Sequence, residues 1–303
     1  MVIKHIVLAG GGPAGFVTYG VLKHLSKSNF WNINNLNSLY GTSIGAFFAT
    51  ILCLNYEWSV LDDYLIERPW DKMVDIGPQS IISVLTGAGA LDAEIFTEKA
   101  LEPLLSAKGL SKDITLSEFY DYSKKSLHLF TTEINGDRLQ NIDISHITHP
   151  EWKLVTCIAM SLAYPLVFKP IFLEDKCYID GGLVNNLPII ECVSQKDCDK
   201  DEILVLKNIF IREPIESIVT KDTSIARFFS ILFKKMRDEI DPRDKHPDLK
   251  NTVKCLCENV SGLDSWFEAL TNQNMRKDLI NNGISQANIF LEYKNYDKDV
   301  FKN

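Results

Sequence analysis

No stretch of the chain approaches about 18 uninterrupted apolar residues, so the sequence offers no membrane-spanning helix. Positive charge is in the minority. Lys and Arg number 32 against 40 Asp and Glu, a formal charge of −8, and the longest basic cluster is Lys234-Lys235-Met236-Arg237. A chain of that balance has no general attraction for polyanions, and no nucleic-acid partner is expected. Internal repeats and low-complexity linkers are absent. Cysteine is sparse: seven residues, an odd number, scattered at 53, 157, 177, 192, 198, 255 and 257. That is no disulfide framework, and it fits a reducing interior. Cys255-Leu256-Cys257 has neither a second pair nor a nearby histidine, so no metal is expected. The amino terminus, Met1-Val2-Ile3-Lys4-His5-Ile6, runs straight into a strand rather than a secretory leader. The expectation is an intracellular, cytoplasmic protein that touches membranes only peripherally.

What remains is ordinary globular material, 46% hydrophobic and 24% charged over 303 residues, enough for one large domain. Ile3, Ile6, Val7 and Leu8 read as a buried strand, followed by the loop Gly10-Gly11-Gly12-Pro13-Ala14-Gly15 and a helix from Phe16 to Leu25. A second strand, Leu36 to Tyr40, leads into Gly41-Thr42-Ser43-Ile44-Gly45 and a helix that is apolar all round. Further strands are expected at Ser126–Ile134, Lys176–Ile179 and Ile203–Leu206, with a hairpin-type turn at Asn135-Gly136-Asp137 and a helix at Leu154–Ala163. Strands alternating with helices imply an α/β fold with a mainly parallel sheet. After about Pro214 the strand signals nearly vanish. A core of about 1–212 and a mostly helical C-terminal extension of about 213–303, within one domain, are the expectation.

The glycine loop admits two chemistries. Gly10, Gly12 and Gly15 satisfy G-x-G-x-x-G between a strand and a helix, the dinucleotide fingerprint, but that fingerprint needs an acidic residue about 20 positions on to hold a ribose. Trp31 to Tyr40 contains no Asp or Glu, so no nucleotide cofactor is expected. Alternatively, the amides at the helix start form an oxyanion hole, which predicts a nucleophile nearby.

Gly41-Thr42-Ser43-Ile44-Gly45 supplies one. G-x-S-x-G between a strand and a buried helix is the setting of a nucleophile elbow, in which the amide of the following residue, Ile44, serves the oxyanion. Such a serine ordinarily relies on a histidine beyond the acidic residue in the chain. The only histidine after Asp180 is His246, in a polar, proline-flanked loop, and the earlier ones lie in strands, on a helix or near a loop. Asp180-Gly181-Gly182, on a tight turn after a short strand, offers another base, its glycines permitting an aspartate that faces the serine; taken alone, such a sequence is far more often a turn chosen for backbone geometry.

Taken together, the chain resembles the patatin-like phospholipases. The glycine loop, the elbow and Asp180-Gly181-Gly182 occur in that family's order and at similar separations, and the phrases Met160 to Pro170 and Tyr178 to Pro188 also look like family sequence. The resemblance covers roughly residues 3 to 208. It implies a three-layer α/β/α fold and a metal-free, histidine-free serine–aspartate acyl hydrolase. Ser43 would be the nucleophile and Asp180 the base, with Gly10, Gly11 and Gly12 beside Ile44 as oxyanion donors and Gly41, Gly45, Gly181 and Gly182 as elbow and turn glycines. The implied substrate is a phospholipid or lysophospholipid. Ala14 departs from the family, which usually carries Arg or Lys there. The alternative is therefore a catalytically weak or silent scaffold that binds a lipid or a protein. A lipid substrate also requires an apolar approach surface, for which Ile81-Ile82-Ser83-Val84-Leu85 and Phe228 to Phe233 are the candidates.

Overall fold

A computed structural model of the chain describes residues 2–73, 91–165, 167–196, 198–211, 218–240, 246–247, 249–258, 260 and 263–300. The first apolar candidate, residues 81–85, lies outside the described residues. The strands are β1 (His5–Leu8), β2 (Ser38–Thr42), β3 (Ser126–Glu133), β4 (Gln140–Ile144), β5 (Ile171–Leu173), β6 (Lys176–Asp180), β7 (Ile203–Ile211) and β8 (Thr252–Glu258). They form one sheet in the order β5-β6-β3-β2-β1-β7-β8, with β4 paired to β3 off that path. The run β3-β2-β1-β7-β8 is parallel throughout, whereas β4 and β6 join β3, and β5 joins β6, in antiparallel fashion.

The central strands are apolar at nearly every position because both of their faces are covered, as parallel strands require. Ile6, Leu8, Leu39, Leu204 and Leu206 point into the larger core. Val7, Ala9, Tyr40, Ile203 and Val205 point into a smaller one, closed by Leu187, Ile189, Cys192 and Leu249. The sheet is the middle of three layers. The helix Gly15–Lys27 follows the glycine loop, and Ile44–Cys53, buried at all but its first residue, follows β2.

One strand departs from the sequence reading. Residues 252–258, placed by that reading in a helical region, form β8 and pair in parallel with β7 from Val205↔Thr252 to Ile211↔Glu258. The inward residues are Val253, Cys255 and Cys257; two small cysteines, and Leu256 on the outer face, blur the alternation that marks a half-buried strand. The rest of that region is helical: Ile225–Ile240, Leu263–Thr271 and Gln273–Val300. The last crosses Gly15–Lys27 where two glycines meet. A Cβ on Gly20 would lie 2.1 Å from the Ile280 carbonyl oxygen, and one on Gly283 would lie 2.1 Å from that of Val17. Without those side chains the two backbones come close enough to fix the helix against the core.

Candidate active site

The parallel strands deliver their C-terminal ends, and the loops that follow them, to one edge of the sheet, where open α/β folds hold their ligands. β2 ends at Thr42 and the helix Ile44–Cys53 begins two residues later, so Ser43 carries the whole reversal at φ 54° and ψ −126°. The flanking glycines are required by contact. A Cβ at Gly41 would lie 2.5 Å from the Gly45 backbone, and one at Gly45 would lie 2.5 Å from the Leu8 carbonyl oxygen. The elbow is then tied down. Ser43 N–H donates to Ser161 Oγ at 2.8 Å, Ser161 donates to the Phe130 carbonyl at 2.6 Å, and Thr42 Oγ1 donates to the Asn185 carbonyl at 2.9 Å.

Asp180 is the last residue of β6, and its side chain is buried against that elbow. The Ser43 side chain neighbours that carboxyl and favours its ionised form. Gly182 N–H donates to Oδ1 at 2.7 Å. Burial pushes the Asp180 carboxyl up to about 6, with the Ser43 side chain, the Gly182 N–H and the Arg237 charge pulling the other way. A carboxylate so placed accepts a proton near neutral pH far more readily than an exposed aspartate.

No histidine among the described residues hydrogen-bonds to Ser43. His128 pairs with Asp143 at 2.9 Å, His5 with Ser38 at 2.6 Å and His149 with Thr148 at 2.9 Å, while His146 stacks on Tyr120.

The glycine loop lies against the nucleophile. A Cβ at Gly10 would come within 3.1 Å of Ser43 Cβ. One expected donor is corrected here. Gly10 N–H is engaged by the Asn186 carbonyl at 3.0 Å, while its own carbonyl accepts from Asn208 Nδ2 at 3.2 Å, so Gly10 shapes the loop and is not free to hold an oxyanion. Gly12 and Ile44 are the first residues of their helices, where N–H groups have no intrahelical acceptor. Gly11 caps the short turn that Gly12 begins. Gly12 itself sits at φ 54°, with the Trp266 indole 2.3 Å from where a Cβ would be.

Between the loop and the elbow helix opens an apolar cleft of about 570 Å³, counting space open to solvent, with Gly12, Phe16, Ile44, Phe47, Leu162 and Trp266 among its walls. Behind the loop is a second, polar cleft that includes Asn186, Lys207, Asn208, Arg237 and His246. Ala14, against Gly11, is fully buried.

Several of these residues carry no signal in the sequence. Ser161, Asn185 and Asn186 lie inside the family-like phrases, but only the fold shows that they fasten the elbow and the loop. Asn208, Arg237 and Trp266 come from β7 and from the helices Ile225–Ile240 and Leu263–Thr271, far along the chain from the motifs.

Residues 6–193 match the family model described as patatin-like phospholipase. The chain belongs to that family. Among curated relatives, the patatin-like chain is 28% identical over 187 residues to the uncharacterized protein R571 of Acanthamoeba polyphaga mimivirus. It is 26% identical, again over 187 residues, to the probable lipid hydrolase 463L of Invertebrate iridescent virus 6. The matched stretch is 62% and 61% of this chain, and only 60% and 62% of those relatives. The crystal structure of VipD from Legionella pneumophila, 16% identical, covers 97% of this chain and 67% of its own with a TM-score of 0.55, a likeness of fold. No helix of the described residues is long and apolar enough to cross a membrane.

Proposed function

We propose that the protein is a lipid acyl hydrolase of phospholipase A or lysophospholipase type working through Ser43 and Asp180. The observation that carries this reading is the strained Ser43 elbow set beside the buried Asp180 carboxyl, next to an apolar cleft lined by Gly12 and Ile44. Ser43 Oγ attacks the ester carbonyl as Asp180 takes its proton. The amides of Gly11, Gly12 and Ile44 hold the oxyanion, and Asp180 returns the proton to the leaving alcohol. Water, activated by the same carboxylate, then releases the acyl chain from the serine. The apolar cleft beside Gly12 and Ile44 suits the acyl chain. Family membership and the probable lipid hydrolase among the relatives support the same substrate class.

The lipid has to be drawn from a bilayer or micelle, and the helix Ile225–Ile240 is the surface suited to it. It packs beside the turn at Gly181–Leu183. It buries Ile231 while leaving Ile225, Phe229, Leu232, Met236 and Ile240 exposed along one stripe, with Arg227 and Lys235 also exposed. An outward apolar stripe with basic neighbours on a helix is the pattern of interfacial binding.

The second reading is the silent scaffold, and Ala14 favours it by removing a cationic side chain next to the oxyanion amides. Acyl release from phospholipid vesicles, from a lysophospholipid and from a short-chain ester, wild type beside Ser43→Ala, decides between them. Release that falls by about 10³-fold or more in the alanine variant supports the hydrolase. Release that survives the substitution overturns the role of Ser43. A folded wild type with no release on any of the three overturns the hydrolase and leaves the scaffold.

A further inference from the structure

We infer that His5, Cys192 and Cys198 form a binding site for a thiophilic divalent metal ion, zinc being the best fit, at the end of the sheet opposite Ser43. His5 opens β1 and is in register with Ser38 and Ile203, the first residues of β2 and β7, so the group sits at the N-terminal edge of the parallel strands. Cys192 comes from the helix Ile189–Val193, and Cys198 from the turn that leads to β7. One donor atom from each of the three residues lies within 4.8 Å of the other two. Tetrahedral zinc, with bonds of about 2.3 Å to sulfur and about 2.0 Å to nitrogen, spaces its donors about 3.5–3.8 Å apart. Closing the trio onto an ion therefore requires a contraction of at most about 1.3 Å, within the reach of side-chain rotation.

The surroundings support a ligand set over three core residues that happen to touch. His5 Nδ1 is held by Ser38 Oγ at 2.6 Å, which orients the ring and leaves Nε2 for the metal; a hydrogen-bonded second nitrogen is the usual support of a metal-ligating histidine. His5 and Cys192 are buried and Cys198 is half-buried. The two thiols are near neighbours, each within 4.8 Å of the other. Binding replaces their two protons, which leave to solvent, with one divalent ion, so that two thiolates and the ion sum to zero charge in a buried place. The fourth position falls to water or to Glu202, whose charge reaches both His5 and Cys198 and which now pairs with Lys4 at 2.7 Å. Such an ion would clamp the turn before β7 to the start of β1. The closely spaced cysteine-pair signature misses this group, because Cys192 and Cys198 are six positions apart and their histidine, His5, lies far away in the chain.

The test is the metal content of the full-length protein, measured by mass spectrometry after expression with added zinc and exhaustive dialysis. One zinc per chain is expected in wild type and in Ser43→Ala, falling to background in Cys192→Ser and in Cys198→Ser. Cys198 is half-buried, so its serine variant keeps the test alive if Cys192→Ser fails to fold. Cobalt exchanged into wild type should give thiolate-to-metal charge-transfer absorption and the intense visible bands of a tetrahedral site, both lost in Cys198→Ser. Background zinc in wild type overturns the proposal, as does a cobalt spectrum without thiolate bands. A Cys192–Cys198 disulfide in freshly purified protein, seen as the loss of two hydrogen masses, would overturn it as well.

Discussion

Thr42 and Asp180 are register partners of consecutive residues on β3, Phe130 and Thr131, and they reach that strand along the same edge. The shared edge follows from β4, which pairs with Leu129 to Glu133 and so occupies the other side. β2 ends where β6, running in the opposite sense to β3, also ends. The two strand termini abut, and the residue after Thr42 is Ser43. The proposed nucleophile and base are therefore brought together by main-chain pairing to one strand, and their separation is as stiff as the sheet itself. Ser161 reinforces the junction by bridging Ser43 N–H and the Phe130 carbonyl.

The elbow stores strain at its centre. Ser43 combines φ 54° with ψ −126°, a region that L-residues avoid and glycine tolerates. Ser43→Gly should accordingly be more stable than Ser43→Ala, by about 1–3 kcal/mol, although both lose ester hydrolysis. Urea denaturation of the two variants reads the difference. A glycine variant no more stable than the alanine one would mean that the elbow is not strained as its dihedrals indicate.

Activity should carry an acid limb set by Asp180. Its carboxyl is pushed up to about 6 chiefly by burial, and only the ionised form accepts the Ser43 proton. Hydrolysis is then full above that value and falls as pH drops through it. The Arg237 charge holds the Asp180 carboxyl down, so Arg237→Gln should move the limb to higher pH while keeping its shape. A kcat/KM profile on a soluble ester from pH 4 to 9 checks both statements. A flat profile down to pH 4 removes Asp180 from the role of base.

The motifs around Ser43 and Asp180 were legible because each is a local device. A sharp turn demands glycines on either side of the nucleophile, and a tight turn after a short strand demands Gly181 and Gly182. The central strands were legible for a similar reason, since burial on both faces leaves unbroken apolar runs. What escaped depends on partners distant in sequence. Gly10 reads as an oxyanion donor until the Asn186 carbonyl is seen to occupy its N–H. Trp266 has no visible role until Gly12 is found against its ring. β8 hides because Cys255 and Cys257 fill inward positions that Val or Ile would have advertised.

The apolar cleft predicts selectivity for acyl length. Leu270 lies on its wall, half-buried beside Trp266. Leu270→Trp adds bulk there without touching Ser43, Asp180 or the glycine loop. The ratio of kcat/KM on a long-chain ester to that on a butyrate ester should fall by about 10-fold or more, since each lost methylene contact is worth about 1 kcal/mol or more. If both substrates slow equally, the acyl chain lies elsewhere.

Membrane contact is the remaining prediction, and the helix Ile225–Ile240 allows it to be separated from chemistry. Phe229 is 37% and Leu232 is 38% exposed, whereas Ile231, which anchors the helix, is 8% exposed. Aspartates at the first two positions leave the anchor in place and remove two apolar side chains from the outer stripe. Each side chain inserted into a bilayer interface is worth about 1–2 kcal/mol, so the double variant Phe229→Asp, Leu232→Asp should bind phospholipid vesicles about 10²-fold more weakly. Its kcat/KM on a soluble short-chain ester should equal that of wild type, because neither residue reaches the site. Vesicle co-sedimentation and ester hydrolysis on the same preparation give the two numbers. Undiminished vesicle binding by the folded variant would move the membrane surface off this helix, whereas loss of soluble-ester activity would show that the stripe supports the Gly181–Leu183 turn rather than a bilayer.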